Sequence, residues 1–284
     1  HNYPNPKVPK GHDEGHGIEI KASQYVLVEN VTITETTGDG VLIVGSGKTS
    51  AKDVTIRKSE LFYNRRQGVS IVGGIDILIE NCKIHHIKGT SPQFGVDIES
   101  LSFTSKDIII RNNQFYNNFG GDIVNTDGRN VLMEKNTHYE GDGVRNLDGP
   151  IVFWPRADQT IRGNTLKVRK GSVNGKVGIL GYSSKKPRKS TGKTCIYDNK
   201  CDGCGFYIYH TTHFEVRNNE FINGYIAMQY IKNILLFNNK VTHASKRWAY
   251  RFKVITGRAG GNLYNGKPFQ IPLSDKPWTG AWIE

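Results

Sequence analysis

Residues 108–115 read IIIRNNQF, alternating apolar positions that run into a pair of asparagines, Asn112 and Asn113. Alternation at period 2 marks a short strand with one buried face, and asparagine tolerates the left-handed backbone of a tight turn. The stretch is not unique. The same frame (apolar, any, apolar, any, polar, Asn or a substitute, any, apolar) returns as VLVENVTI from Val26, VTIRKSEL from Val54, ILIENCKI from Ile77 and VLMEKNTH from Val131. It continues as QTIRGNTL from Gln159, TCIYDNKC from Thr194, FEVRNNEF from Phe214 and ILLFNNKV from Ile234, making nine copies. Successive copies lie 20 to 35 residues apart, and the extra residues fall between motifs, never within them.

A solenoid takes up insertions in this way, because each repeat meets its neighbours through its strands and sheds extra length into loops. A second strand accompanies each motif, as GIEI at Gly17, GVLI at Gly40, GVSI at Gly68, GVDI at Gly95 and GDIV at Gly121. It recurs as PIVF at Pro150, GILG at Gly178, GFYI at Gly205 and YIAM at Tyr225. No comparable segment has helical periodicity, so the chain is expected to be all-β, a parallel β-helix of about nine rungs. Equivalent residues of neighbouring rungs should lie about 4.8 Å apart. Asn112, Asn113, Asn136, Asn164, Asn199, Asn219 and Asn239 are expected to form a structural ladder, each amide bonding to the next. Residues 1–242 are read as the β-helix domain. From His243 the motif dissolves and Trp248, Trp278 and Trp282 collect, so 243–284 is read as a cap over the last rung.

The 284 residues include 32 glycines, with 10% aromatic and 37% hydrophobic content, a folded rather than disordered composition. A formal charge of +12 attracts polyanions, whether nucleic acid, acidic polysaccharide, phosphate-rich wall polymer or membrane face, without choosing among them. Much of the excess lies between Lys167 and Lys193, which reads as a solvated loop. No apolar run approaches the roughly 18 residues needed to cross a bilayer, so no membrane insertion is expected. The first residues lack an apolar segment and an initiating methionine; no targeting signal is visible, and the chain is read as starting inside a longer protein. Cys82, Cys195, Cys201 and Cys204 are too few and too unevenly placed for a disulfide framework. Three of them fall within ten residues, with His210 and His213 nearby, but a second paired motif is missing and no metal site is assigned.

GHGI from Gly15, TTGDGV from Thr36, NRRQGVSIVGG from Asn64, ILIENCKI from Ile77 and GTSPQFGVDIE from Gly89 together resemble the right-handed parallel β-helix proteins of the pectate-lyase-like superfamily. The likeness is greatest to members found in phage tailspikes and neck appendages. It covers about Gly15 to Val241, and Arg65 to Glu99 is its most specific part. The resemblance implies a right-handed coil, a place outside the cell or on a virion surface, and a homotrimer. It also implies a cell-surface polysaccharide or teichoic acid as partner rather than nucleic acid. Hydrolases, lyases and inert spikes share this scaffold, so the fold does not choose among them.

Aligning the rungs on their glycines places Glu19, Leu42, Ser70, Asp97 and Asp122 outward in successive coils, with Glu99 two residues beyond Asp97 on the same face. His16, Asp39, Arg65 and Arg66 stand at the corner entering that face. Asp97, Asp122, Asp39 and Glu99 are therefore the candidate catalytic residues, and Arg65, Arg66, His16 and Glu19 the candidate substrate contacts. Paired carboxylates flanking a glycosidic bond act as acid and as base or nucleophile, the chemistry of a glycoside hydrolase. The resemblance also admits a uronate lyase, with calcium on Asp and Glu and Arg66 as base. It admits a wall teichoic acid phosphodiesterase with both arginines on phosphate, or a non-catalytic glycan-binding module whose charges merely pair. Tyr207 and Tyr209, in GFYIYHTTHF, contact sugar if they face outward and fill the core if they do not. His85 and His86 occupy a rung corner in a structural role, one expected to point in and one out. The GDG triplets at Gly38 and Gly141 precede no helix and are read as turns.

Overall fold

The computed structural model describes residues 14–100, 102–140, 149–154, 158–168, 177–182, 192–242, 250–271 and 273. The strands stack in parallel into three sheets, except for a short antiparallel pair, Leu263–Tyr264 with Lys267–Pro268. The first sheet begins at Ile18–Lys21 and passes through Val69–Ile71, Phe94–Ile98 and Gly121–Asn125. The second begins at Gln24–Glu29 and contains Lys106–Arg111, the strand of the opening motif. The third consists of three-residue strands from Thr32–Thr34 to Lys240–Thr242, closed by Leu263–Tyr264. Gly205–Arg217, Ile226–Phe237 and Tyr250–Gly260 run unbroken through the first and second sheets. The chain is a right-handed parallel β-helix with ten coils and no helix among the described residues.

Its interior is a set of one-residue-per-coil columns. Val41, Val69, Val96, Ile123, Ile151, Ile179, Phe206 and Ile226 stack in register with none of their surface exposed. Such columns follow from the period-2 alternation, because each in-register strand adds its apolar side to the same core.

Each asparagine of a pair does a different job. Asn81, Asn112, Asn218 and Asn238 adopt left-handed backbone with φ of 55° to 56° and turn the chain from the second sheet to the third. Asn112 therefore lies outside the ladder expected of it. The ladder is formed by Asn113, Asn136, Asn164, Asn199, Asn219 and Asn239, and Asn262 extends it by one coil. The Asn113 side-chain oxygen accepts the Cys82 backbone N–H, each later one accepts the backbone N–H of the preceding asparagine, and every amide nitrogen donates to a carbonyl one coil back. Asn262 belongs to a coil that the motif search misses. Tyr250–Gly260 pairs with Ile226–Phe237, but Gly257 and Ala259 stand opposite Ile234 and Leu236, so the apolar frame is absent there. A cap starting at residue 243 would cut off this coil. Trp248, Trp278 and Trp282 lie outside the described residues, as does most of the basic run from Lys167 to Lys193 and the GDG at Gly141.

The glycines opening the first-sheet strands are imposed by the stacking distance. A Cβ at Gly68 would sit 2.4 Å from the Gly95 carbonyl oxygen, and one at Gly95 would sit 2.7 Å from that of Asp122. Only glycine lets the backbones of adjacent coils approach this closely.

The fourth position of the motif, read as free in the sequence, carries an alternating charge column. Glu29, Arg57, Glu80, Arg111, Glu134 and Arg162 pair in register along the second sheet. Arg57 meets Glu29 at 2.9 Å, Arg111 meets Glu80 at 2.8 Å and Arg162 meets Glu134 at 2.6 Å. Single exposed pairs contribute at most about 1 kcal/mol, but reversing one member places like charges side by side. Arg111→Glu would set three carboxylates in a row and is expected to destabilise the chain by about 1–2 kcal/mol in urea unfolding, a loss that shrinks in high salt.

Candidate functional site

The registers define one outward column on the first sheet as Glu19, Leu42, Ser70, Asp97, Val124, Val152, Leu180, Tyr207 and Ala227. Asp122 is not in it. Phe94 pairs with Gly121, Val96 with Ile123 and Asp97 with Val124, so Asp122 stands opposite Gly95, two residues short of the Asp97 position. Asp122 is instead buried at the corner, where its two oxygens accept from Asn118 Nδ2 at 2.8 Å and contact His138 Nδ1 at 3.0 Å. His138 is fully buried and stacks on Phe115. This carboxylate is part of the scaffold and cannot flank a substrate on the outer face.

At the corner, Arg66 Nη1 reaches both oxygens of Asp39 at 3.1 and 2.9 Å, and Asp39 has no exposed surface. His16 Nδ1 accepts the Asp39 backbone N–H at 3.1 Å. Arg65 is held by its own N–H on the Thr36 carbonyl and packs its stem over Gly89. Glu19 is exposed, three coils from Asp97, or about 14 Å at the stacking distance. The structure therefore brings Glu99, Arg66 and Asp39 to bear on Asp97, links His16 to Asp39, and places Glu19 and Asp122 elsewhere.

Asp97 is the distinctive group. Its side chain is 1% exposed, Oδ2 accepts from Gln67 Nε2 at 2.5 Å, and Oδ1 has no protein partner. Burial, reinforced by the negative charges of Glu99 and Asp39 and opposed by Arg66, pushes its carboxyl up to about 8. Asp97 is thus a neutral acid at pH 7, next to a half-buried Glu99. Arg66 already engages both oxygens of Asp39, one of the carboxylates a calcium ion would call on here.

Beyond Asp97 the outer face turns apolar. Phe94, Val124 and Val152 form a cluster against which Trp154 and Leu180 pack. Tyr207 and Tyr209 follow on the same face, half-buried, with ring centroids 5.4 Å apart. Tyr207 stands four coils from Asp97, about 19 Å. Gln67, Phe94 and Trp154 are the site residues the sequence did not mark. Gln67 occupies the same pre-glycine position as His16 and Asp39, which was its available signal.

Neither histidine of the 85–86 pair enters the core, contrary to expectation. His85 stacks between Phe62 and Tyr116 on the outer side of the third sheet at 5.0 and 4.2 Å, and His86 bonds to it through the two Nδ1 atoms at 2.7 Å. Burial lowers the pKa of both. Cys201 and Cys204 are buried while Cys195 is half-buried on the outer side of the second sheet. Among the described residues, no group of three or more His, Cys, Asp or Glu is arranged to hold a metal.

A parallel β-helix with a neutral buried acid at the head of an outward apolar and aromatic strip is the class these observations define. A family model described as "Right handed beta helix region" matches residues 16–221, and the chain belongs to that family. It is similar to the uncharacterized protein YclG of Bacillus subtilis (strain 168), 27% identical over 283 residues, covering 94% of this chain and 44% of the relative. It is also similar to the SPbeta prophage-derived uncharacterized protein YorA of the same organism, 28% identical over 210 residues, covering 68% of this chain and 34% of the relative. The chain spans less than half the length of either relative.

Proposed function

We propose that the chain is the polysaccharide-processing segment of a longer surface or virion protein, acting as a glycoside hydrolase on the outer face of the first sheet. The observation that carries this reading is Asp97, a carboxyl kept neutral near pH 7 with one buried oxygen that no protein group satisfies. Asp97 donates its proton to the glycosidic oxygen as the bond to the anomeric carbon breaks. Glu99 takes a proton from the water that attacks that carbon, and exchange with solvent then resets both groups. The glycan lies along the helix axis over Val124, Val152 and Leu180, its apolar ring faces on Trp154, Tyr207 and Tyr209. The relation to a prophage-derived protein and the +12 charge support a cell-surface polymer with acidic groups as substrate. A lyase is less well supported, because the Arg66 guanidinium is engaged by Asp39. The same pairing weakens a phosphate clamp built on two arginines.

One observation favours a second reading, a glycan-binding module without catalysis. At 1% exposure, Asp97 meets a substrate only after the side chains above it move. The two readings separate in one experiment: incubation with neutral, uronic-acid-containing and teichoic acid polymers, following reducing ends, unsaturated sugar products and released phosphate together. The hydrolase reading expects reducing ends alone, a rate that falls as pH rises through about 8, and a loss of roughly 10²- to 10⁴-fold in Asp97→Asn. Silence in all three channels, with retention on one polymer that Tyr207→Ala weakens, establishes the binding module instead.

A further inference from the structure

Gln67 is fully buried between two fixed groups. Its Oε1 accepts the Phe94 backbone N–H at 2.8 Å, and its Nε2 contacts Asp97 Oδ2 at 2.5 Å. A backbone N–H can only donate, so the amide orientation is forced: oxygen toward Phe94, nitrogen toward Asp97. An amide N–H can only donate too, so Oδ2 must accept, a part the carbonyl oxygen of a neutral acid fills better than its hydroxyl oxygen, and this favours the proton on Oδ1. We propose that Gln67 is a positioning residue that confines the Asp97 proton to Oδ1, one coil from the unpartnered hydroxyl of its register partner Ser70.

Ser70 is the register partner of Asp97 on the preceding coil, fully buried, and its Oγ has no partner. Two buried polar atoms left open on adjacent coils of one outward column mark where a ligand oxygen is received. The charged groups bearing on Asp97 are Glu99, just past the end of its strand, and Arg66 and Asp39 from the two preceding coils. The following coil presents Val124, which is apolar. None of these can receive the proton through Oδ2, because Gln67 occupies that oxygen. The proposal rests on the hydrolase reading for what the proton does, since the leaving oxygen would then be bound between Asp97 Oδ1 and Ser70 Oγ. It does not rest on that reading for where the proton is.

The test uses no substrate. In the native chain, the Gln67 side-chain amide and the Asp97 carboxyl carbon are followed by nuclear magnetic resonance across pH 5 to 10, and both are expected to shift with one midpoint. Gln67→Leu removes a donor that favours the charged form, so the Asp97 midpoint is expected to rise by about one pH unit. Gln67→Glu, nearly the same shape, places a second carboxyl on Oδ2, and the pair is expected to titrate in two separated steps. A Gln67 amide that stays still while Asp97 titrates overturns the proposal, as does an unmoved Asp97 midpoint in both variants. Coupled titration in a chain that cleaves no polymer removes the hydrolase reading and leaves the role of Gln67. Cleavage by a chain in which the two groups titrate independently removes the positioning role alone.

Discussion

Asn164→Ala is expected to destabilise the chain by about 3–5 kcal/mol, while Asn112→Ala, at the other position of the asparagine pair, costs about 1–2 kcal/mol. The contrast follows from what each side chain satisfies. Asn164 is 1% exposed. Its Oδ1 accepts both the backbone N–H and the Nδ2 of Asn136, and its Nδ2 donates to the Met133 carbonyl and to Asn199 Oδ1. Truncation leaves a buried N–H and a buried carbonyl without partners, and the groups left unpaired dominate the loss. Asn112 is exposed, and its contribution is the ease of holding φ at 56°, which alanine resists. Urea unfolding of both variants measures the difference. Because each coil touches only its neighbours, amide exchange in the Asn164 variant should accelerate first around residues 131–139 and 194–202. Equal losses in the two variants would mean that the ladder bonds add little beyond what water supplies to the unfolded chain.

The asparagines also show how far the sequence could be read. Period-2 alternation and the fixed frame made nine of the ten coils and their second-sheet register legible, because both are local consequences of strand geometry. The Glu29 to Arg162 charge alternation was equally present in the aligned motifs and went unread, since a position that varies between opposite charges resembles a free one until neighbours are stacked. The site was legible only in part. Asp97, Glu99, Asp39, Arg66 and His16 converge as the glycine alignment implies, because Gly17, Gly40, Gly68 and Gly95 each sit against the next coil's carbonyl. Asp122 departs because the register follows neither Gly120 nor Gly121: Phe94 pairs with Gly121, which sets Gly95 opposite Asp122 and Asp97 opposite Val124, a pairing between residues far apart in the chain. Gln67 shares the pre-glycine position of His16 and Asp39, but what it does there was not legible, for a different reason. Its role is set by a bond direction, and a direction depends on which groups surround the amide.

Asp97→Asn is expected to stabilise the chain at pH 8 relative to its own effect at pH 4, by about 5 kcal/mol. The buried carboxyl is raised from 3.8 to about 8 in the fold, whereas in the unfolded chain it returns to an ordinary aspartate value near 3.9. Between those limits the native state holds a proton that the unfolded state has released. Stability contributed by the neutral acid is therefore complete below about pH 4, falls by about 1.4 kcal/mol per pH unit above it, and is gone above about pH 8. Asparagine has the shape of the neutral acid and no proton to lose, so its curve lacks this slope. Subtracting the two curves cancels every other titrating group, including Glu99 and Asp39, to the extent that these respond alike in both proteins. The measurement is a pair of urea-unfolding series from pH 4 to 9. Parallel curves would show that Asp97 ionises normally, which would remove the basis for its service as an acid. Diverging curves would show that the fold gives up several kcal/mol at neutral pH to keep one carboxyl dry and protonated. Nothing in the packing of the coil requires that sacrifice, because Leu42, Val124, Val152 and Leu180 fill the same column elsewhere without charge. A buried acid placed where an apolar side chain fits is what the proposed hydrolase would need at this position.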